Sequence, residues 1–234
     1  MCGRYAARMA PNKLDNPIWH SLNERHTAFA LRAGAAVCYP ADVAPFLGIA
    51  EGAAADDEAL AALVAPGATV YLLGAEPAEV KGWSLRIEVT LLQMHCPQPV
   101  APVDAGADII VLDDTHRADV LALTALVYPH YFRPRTMALG RYFGIYRDGR
   151  LAAMIGERMG TDQAQEISAV CAHPEFSGQG LARRLLRWLS SDVQARGWLP
   201  FLHVSPHNTR AIALYANAGY SVRREIAFWS LCRT

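Results

Sequence analysis

Val170 to Ala182 reads VCAHPEFSGQGLA, and in it Ser177, Gly178 and Gly180 stand directly before a run with helical spacing. Two residues free to take positive φ, followed by a helix start, make a place for an anion. The first N–H groups of a helix lack intrahelical partners, the macrodipole is positive there, and glycine leaves no side chain to keep an anion away. A diphosphate suits such a place. A glycine pair before a helix also serves merely to turn a chain, so a second segment has to be weighed with it. His207 to Tyr220, HNTRAIALYANAGY, is that segment. Asn208 is a natural N-cap and Gly219 a natural stop, and Asn208, Ala211 or Ile212, and Tyr215 fall on one helix face, so an amide and a phenol point the same way.

The elements that must position these groups follow from periodicity. Glu166 to Ala172 (EISAVCA) reads as a mostly buried strand ended by His173 and Pro174. Leu181, Leu185, Trp188 and Leu189 then recur at helical spacing with basic residues between them, and Gly197 stops the helix. Pro200 to Ser205 (PFLHVS) is an apolar strand leading to the second segment. Glu166 opens the strand that ends at the glycine loop, sharing a strand face with Ser168 and Val170.

ISAVCAHPEFSGQGLARRLL and HNTRAIALYANAGY together resemble the acyl-CoA motif and the second motif of the GNAT N-acetyltransferase superfamily, in the branch similar to glycine N-acyltransferases. The resemblance spans Asp108 to the C-terminus. It departs at Ser177, where the family usually has Gln or Arg. The fold it implies is α+β, a mixed sheet with helices, and the activity it implies is transfer of an acetyl group from acetyl-CoA to a primary amine by direct attack in a ternary complex. The implied acceptor is a small molecule or amino-acid-like amine. A peptide or protein amine, or an acyl-CoA-binding sensor with little turnover, are the alternatives.

Roles are implied residue by residue. The backbone of Ser177, Gly178, Gln179, Gly180, Leu181, Ala182 and Arg183 would surround the diphosphate. The pantetheine arm would lie between splayed strands, bonded to Val170, Cys171 and Ala172 and helped by Asn208, with the Val170 N–H as oxyanion donor. Tyr215 would protonate the departing thiolate, and Glu166 is the candidate base, since an alkyl ammonium must lose its proton before attack. Tyr128, Tyr131 and Phe132, in the connection from Thr124 to Thr136, would line the acceptor pocket, with Arg133 or Arg135 for a carboxylate and His203 and Glu166 nearby. Cys171 lacks a matched His and acid for a thiol mechanism.

The 234 residues are 52% hydrophobic and 19% charged with zero formal net charge, which suits a folded core and argues against a nucleic-acid or anionic-membrane footprint. No segment reads as a membrane span or secretory signal, so the expectation is a cytoplasmic monomer or homodimer. The five cysteines form no paired motif, and Pro206 separates His203 from His207, so free thiols and no metal are expected. Pro97, Pro99 and Pro102 read as a linker between residues 1–98, an α/β part compatible with a degenerate copy of the same fold, and residues 105–234, a complete GNAT domain. In the first part Pro17 opens a helix, Ala59 to Val64 reads as another, and Thr69 to Leu73 and Trp83 to Met94 read as strands.

Overall fold

Asn16 and Pro17 open the first helix, α1 (Pro17–Asn23), because proline needs no N–H at the first helical position. The computed structural model describes residues 12–54, 56–74, 77, 81–104, 106–127 and 131–233. After α1 come three strands the sequence analysis does not anticipate, β1 (Leu31–Ala33), β2 (Ala36–Cys38) and β3 (Leu47–Ile49), which pair antiparallel in a small sheet of their own. The helix α2 (Asp57–Leu63) starts where the Asp56 carboxylate accepts from the Ala59 N–H. Then follow β4 (Thr69–Leu73) and β5 (Trp83–His95), both close to expectation.

Past the proline-rich stretch come β6 (Ile110–Leu112), α3 (Arg117–Val127), a 3-10 turn at Thr136–Leu139, β7 (Tyr142–Arg147), β8 (Arg150–Gly160), β9 (Ala164–Ala172), α4 (Leu181–Ala195), β10 (Leu199–Val204), α5 (Thr209–Ala216) and β11 (Ser221–Arg233), with β9, α4, β10 and α5 close to where the sequence places them. Asp148 and Gly149 both take positive φ, as the two-residue hairpin between β7 and β8 requires. Gly197, with φ of 81°, lets the Trp198 N–H reach back to Val193 and end α4.

The large sheet runs β4-β11-β5-β10-β9-β8-β7-β6. Its members come from both sides of the proline stretch. β5 lies between β10 and β11, antiparallel to both, and β4 forms the far edge beside β11. One face is covered by α4 and α5, whose Leu185, Leu186, Leu189 and Tyr215 pack with Ile155, Ile167 and Leu202. The opposite face carries α3, with Val120 and Leu123 against Met154, and α1, with Ile18 and Leu22 against Phe46 and Phe228.

Two irregularities shape the middle of this sheet. β9 and β10 pair in parallel only from Leu199/Ala164 to Phe201/Glu166, although both strands continue beyond. They open like a V from that point. In β9, Ala169 has φ of 51°, and residues 169 and 170 stand opposite the single residue Ile155, since Gly156 pairs with Ser168 and Met154 with Cys171. This is a β-bulge, which takes one residue out of the ladder and re-aims its backbone.

Candidate active site

A cavity of about 380 Å³ opens at the V. Along β9 it is lined continuously from Glu166 to Cys171, along β10 and after it by His203, Val204 and Ser205, and at one side by Asn208, Ala211 and Tyr215 of the α5 segment. Glu166, Val170, Cys171, His203, Asn208 and Tyr215, singled out from the sequence, thus meet around one space, while Ser177 to Arg183 are not among its lining residues. Tyr131 is there as well, whereas Phe132 turns its ring edge-on to Tyr142 in the core under α3. Arg133 and Arg135 do not line the cavity, and Arg135 pairs with Asp42. Tyr128 lies outside the described residues.

Glu166 is wholly buried at the vertex of the V. Arg158, from β8, clamps it in two-point fashion, Nε to Oε2 at 2.8 Å and Nη2 to Oε1 at 2.7 Å. The Met159 N–H donates to Oε2 at 3.2 Å and the His203 ring to Oε1 at 2.8 Å, so all four lone-pair directions of the carboxylate are taken. Burial alone would push this carboxyl up. The charge and hydrogen bonds of Arg158, with the bond from His203, outweigh it and hold the group down at about 2.

The tautomer of His203 follows from its neighbours. Gln93, on β5, donates its amide nitrogen to the Leu14 carbonyl at 2.8 Å and faces His203 Nε2 at 2.9 Å, while its oxygen accepts from Arg223 at 2.8 Å. Those two outer partners fix which end of the amide is nitrogen, so His203 Nε2 must accept, and Nδ1 carries the proton donated to Glu166. Arg223 in turn bonds Asp15. A continuous chain therefore links Asp15, Arg223, Gln93, His203, Glu166 and Arg158. Of these, sequence analysis singled out Glu166 and His203 alone. The available signal for the others was a charged or amide side chain inside an apolar strand, Arg158 in AAMIGERMG and Gln93 in LLQMH, because such a residue is buried only when something pairs with it.

The glycine loop lies where the strand β9 hands over to α4. Gly178 and Gly180 have φ of 84° and 75°, and a Cβ on Gly178 would meet nothing within 4 Å. Gly180 is the N-cap of α4 and supplies no side-chain bond, so the first-turn amides of Leu181, Ala182 and Arg183 point out of the helix start. Gln179 sits between the two glycines. Ser177 takes another part: its N–H closes a turn on the Pro174 carbonyl and its hydroxyl accepts from Arg210 at 2.7 Å. Asn208 caps α5 as expected, accepting from the Ala211 N–H at 3.1 Å. Cys171 is buried, and burial pushes its thiol up to about 12, far from a reactive thiolate. Ala172, next along β9, pairs with Ala153.

The FR47-like protein family matches residues 142–229, which contain the V, the bulge, the glycine loop and α5. A search among curated proteins gives no match. Among solved structures, an acetyltransferase of the GNAT family from Novosphingobium aromaticivorans is 33% identical, with 96% of this chain and 100% of that chain covered and a TM-score of 0.87. A GCN5-related N-acetyltransferase from Kribbella flavida covers 91% of each chain at 17% identity and a TM-score of 0.55. An acetyltransferase of the GNAT family from Colwellia psychrerythraea covers 64% of this chain and 57% of its own at 16% identity and a TM-score of 0.50. The last two are likenesses of fold. With full coverage and a third of positions shared with the Novosphingobium protein, this chain belongs to the GNAT family of acetyltransferases.

Proposed function

We propose that the protein transfers an acetyl group from acetyl-CoA to the primary amine of a small molecule by direct attack in a ternary complex. The observation that carries this reading is the coincidence, around one cavity, of the V between β9 and β10, the bulge at Ala169 and the face of α5 that bears Tyr215. The glycine loop fits a diphosphate, because open space stands where a Gly178 side chain would be, the position at Gly180 faces the Arg183 guanidinium, and a helix start directs its first N–H groups outward. Acetyl-CoA would supply a thioester whose acyl carbon is open to an amine.

Gly178 to Arg183 hold the diphosphate through backbone N–H groups. The ladder edge left open by the splayed strands, at Val170 to Ala172, receives the pantetheine amides as an added strand would. At the bulge the Val170 N–H faces the negative charge that develops on the acyl oxygen, a contribution of several kcal/mol when well aligned. Tyr215 gives its proton to the departing sulfur. Glu166, with its lone pairs filled and its carboxyl held low, anchors Arg158 and His203 and leaves the amine proton to water. The amine then attacks as the free base, so kcat/KM climbs with pH toward the pKa of the particular amine used.

The test is release of CoA thiol from acetyl-CoA across a panel of amines. Some amine accelerates release, and Tyr215→Phe lowers kcat about 100-fold, the scale of general-acid catalysis, with little change in coenzyme affinity. Tight CoA binding with no amine ever raising thiol release would replace this reading with that of an acyl-CoA sensor.

A further inference from the structure

The cavity has two unlike ends. At the vertex of the V it is polar, with Arg158, Glu166 and His203 bonded to one another. Across β5 it becomes an apolar bay: on the same face of that strand Gln93 is followed by Leu91 and Val89, Val89 pairs with Phe228 of β11, and Phe228 with Leu73 of β4. Phe46 and Tyr131 complete the bay, with Tyr131 edge-on to Phe228 at 5.5 Å and 6.5 Å from Phe46. Among the described lining residues only Arg158 and Glu166 are charged, and they are spent on each other.

We propose that the acceptor is an amine with an apolar, ring-sized body and no acidic group, selected by this bay. The proposal rests on the acyl-transfer reading given above. A carboxylate on the acceptor would enter beside Glu166 with no uncommitted cation among the described lining residues, and would lose its water for nothing. An aromatic or alicyclic body instead exchanges water for Phe46, Tyr131, Phe228 and the aliphatic floor. The amine end is left at the mouth of the V, where Ser168 and Ser205 are within the lining. Four of the bay residues, Phe46, Leu73, Val89 and Leu91, come from the first half of the chain, so that half sets specificity.

The experiment compares phenethylamine, phenylalanine, ethanolamine and glycine with acetyl-CoA, then glycine with octanoyl-CoA, using the full chain. Phenethylamine is expected to exceed phenylalanine in kcat/KM by about 100-fold or more, since the two differ by one charge with no partner. Phe46→Leu, with its thermal unfolding midpoint measured alongside because Phe46 also packs under α1, raises KM for phenethylamine by a larger factor than it lowers kcat. Calorimetric binding of N-acetylphenethylamine to the unaltered protein gives the same answer without a variant. Phenylalanine or glycine turned over as well as phenethylamine would overturn the proposal, and so would a preference for octanoyl-CoA with glycine, which would give the bay to the acyl chain. If CoA binds and no amine at all speeds thiol release, the acyl-transfer reading fails first and the acceptor proposal falls with it.

Discussion

At the scale of residues, the site is governed by how few polar groups it leaves unsatisfied. Glu166→Gln keeps the shape of the side chain but leaves the Arg158 guanidinium buried without its counter-charge. The expected loss is ~3–5 kcal/mol of unfolding free energy, read from urea denaturation. Replacing both members, Arg158→Met with Glu166→Leu, recovers part of it, because no charge is then stranded although the Met159 and His203 N–H groups lose their acceptor. A loss for Glu166→Gln below ~1 kcal/mol would show that Arg158 finds water instead. His26 behaves in the opposite sense to a stabilising cation. It is buried between the Ser21 and Tyr39 hydroxyls and the Leu139 carbonyl, and burial pulls its pKa down to about 4. The unfolded chain therefore takes up this proton first. Stability is full above about pH 6.5 and falls as pH drops from there toward 4, by up to ~3 kcal/mol from this group. Urea midpoints at pH 7.5 and 4.5 measure it, and His26→Gln should flatten the slope.

At the scale of elements, the bulge of β9 is the feature with the narrowest tolerance. Ala169 sits at positive φ, which an alanine accepts at modest strain and a β-branched residue resists. Ala169→Val is expected to destabilise by ~1–3 kcal/mol and to lower kcat at least tenfold by straightening the backbone at Val170. Unchanged kcat in a folded Ala169→Val protein would remove the bulge from the catalytic account. The strand Ala164–Ala172 and the helices Leu181–Ala195 and Thr209–Ala216 were legible in the sequence, because an apolar run or a helical period bounded by glycine or proline marks each of them. β1, β2 and β3 were not, since three residues give no alternation to read. The bulge left no mark either, because alanine at 169 looks like any strand residue. Within the site, Tyr215, Asn208 and His203 came from local patterns and Arg158 and Gln93 left only the mark of a polar residue in an apolar strand, whereas Leu73, Val89, Leu91 and Phe228 reach the bay through strand pairings that no local pattern announces.

At the scale of the whole molecule, the proline-rich stretch and the sheet divide the chain differently. Pro97 to Pro102 looks like a boundary, yet β5 from before it fills the gap between β10 and β11 and pairs along nearly its whole length with β11. Residues 105–234 produced alone would expose the facing edges of β10 and β11 and the apolar underside of the bay. We expect that fragment to be insoluble or to lack a cooperative unfolding transition by circular dichroism, and co-production with residues 1–98 to restore both. A fragment that melts as sharply as the full chain would show the two parts to be separable. Gln93 makes the same point from within: it reaches the Leu14 carbonyl and His203 at once, so the first residues of α1's approach and the vertex of the V are held by one amide.

The placement of β5 also sets the order in which the enzyme can come into being. Its two neighbours in the sheet, β10 and β11, are made only after β6 to β9 and α4, so the nascent chain must carry a long strand with both flanks unsatisfied until those segments have followed. Contacts of such wide separation form slowly and leave the intermediate open to association with its own kind. A message cut short before β11 yields a polypeptide with its glycine loop encoded but its sheet unable to close.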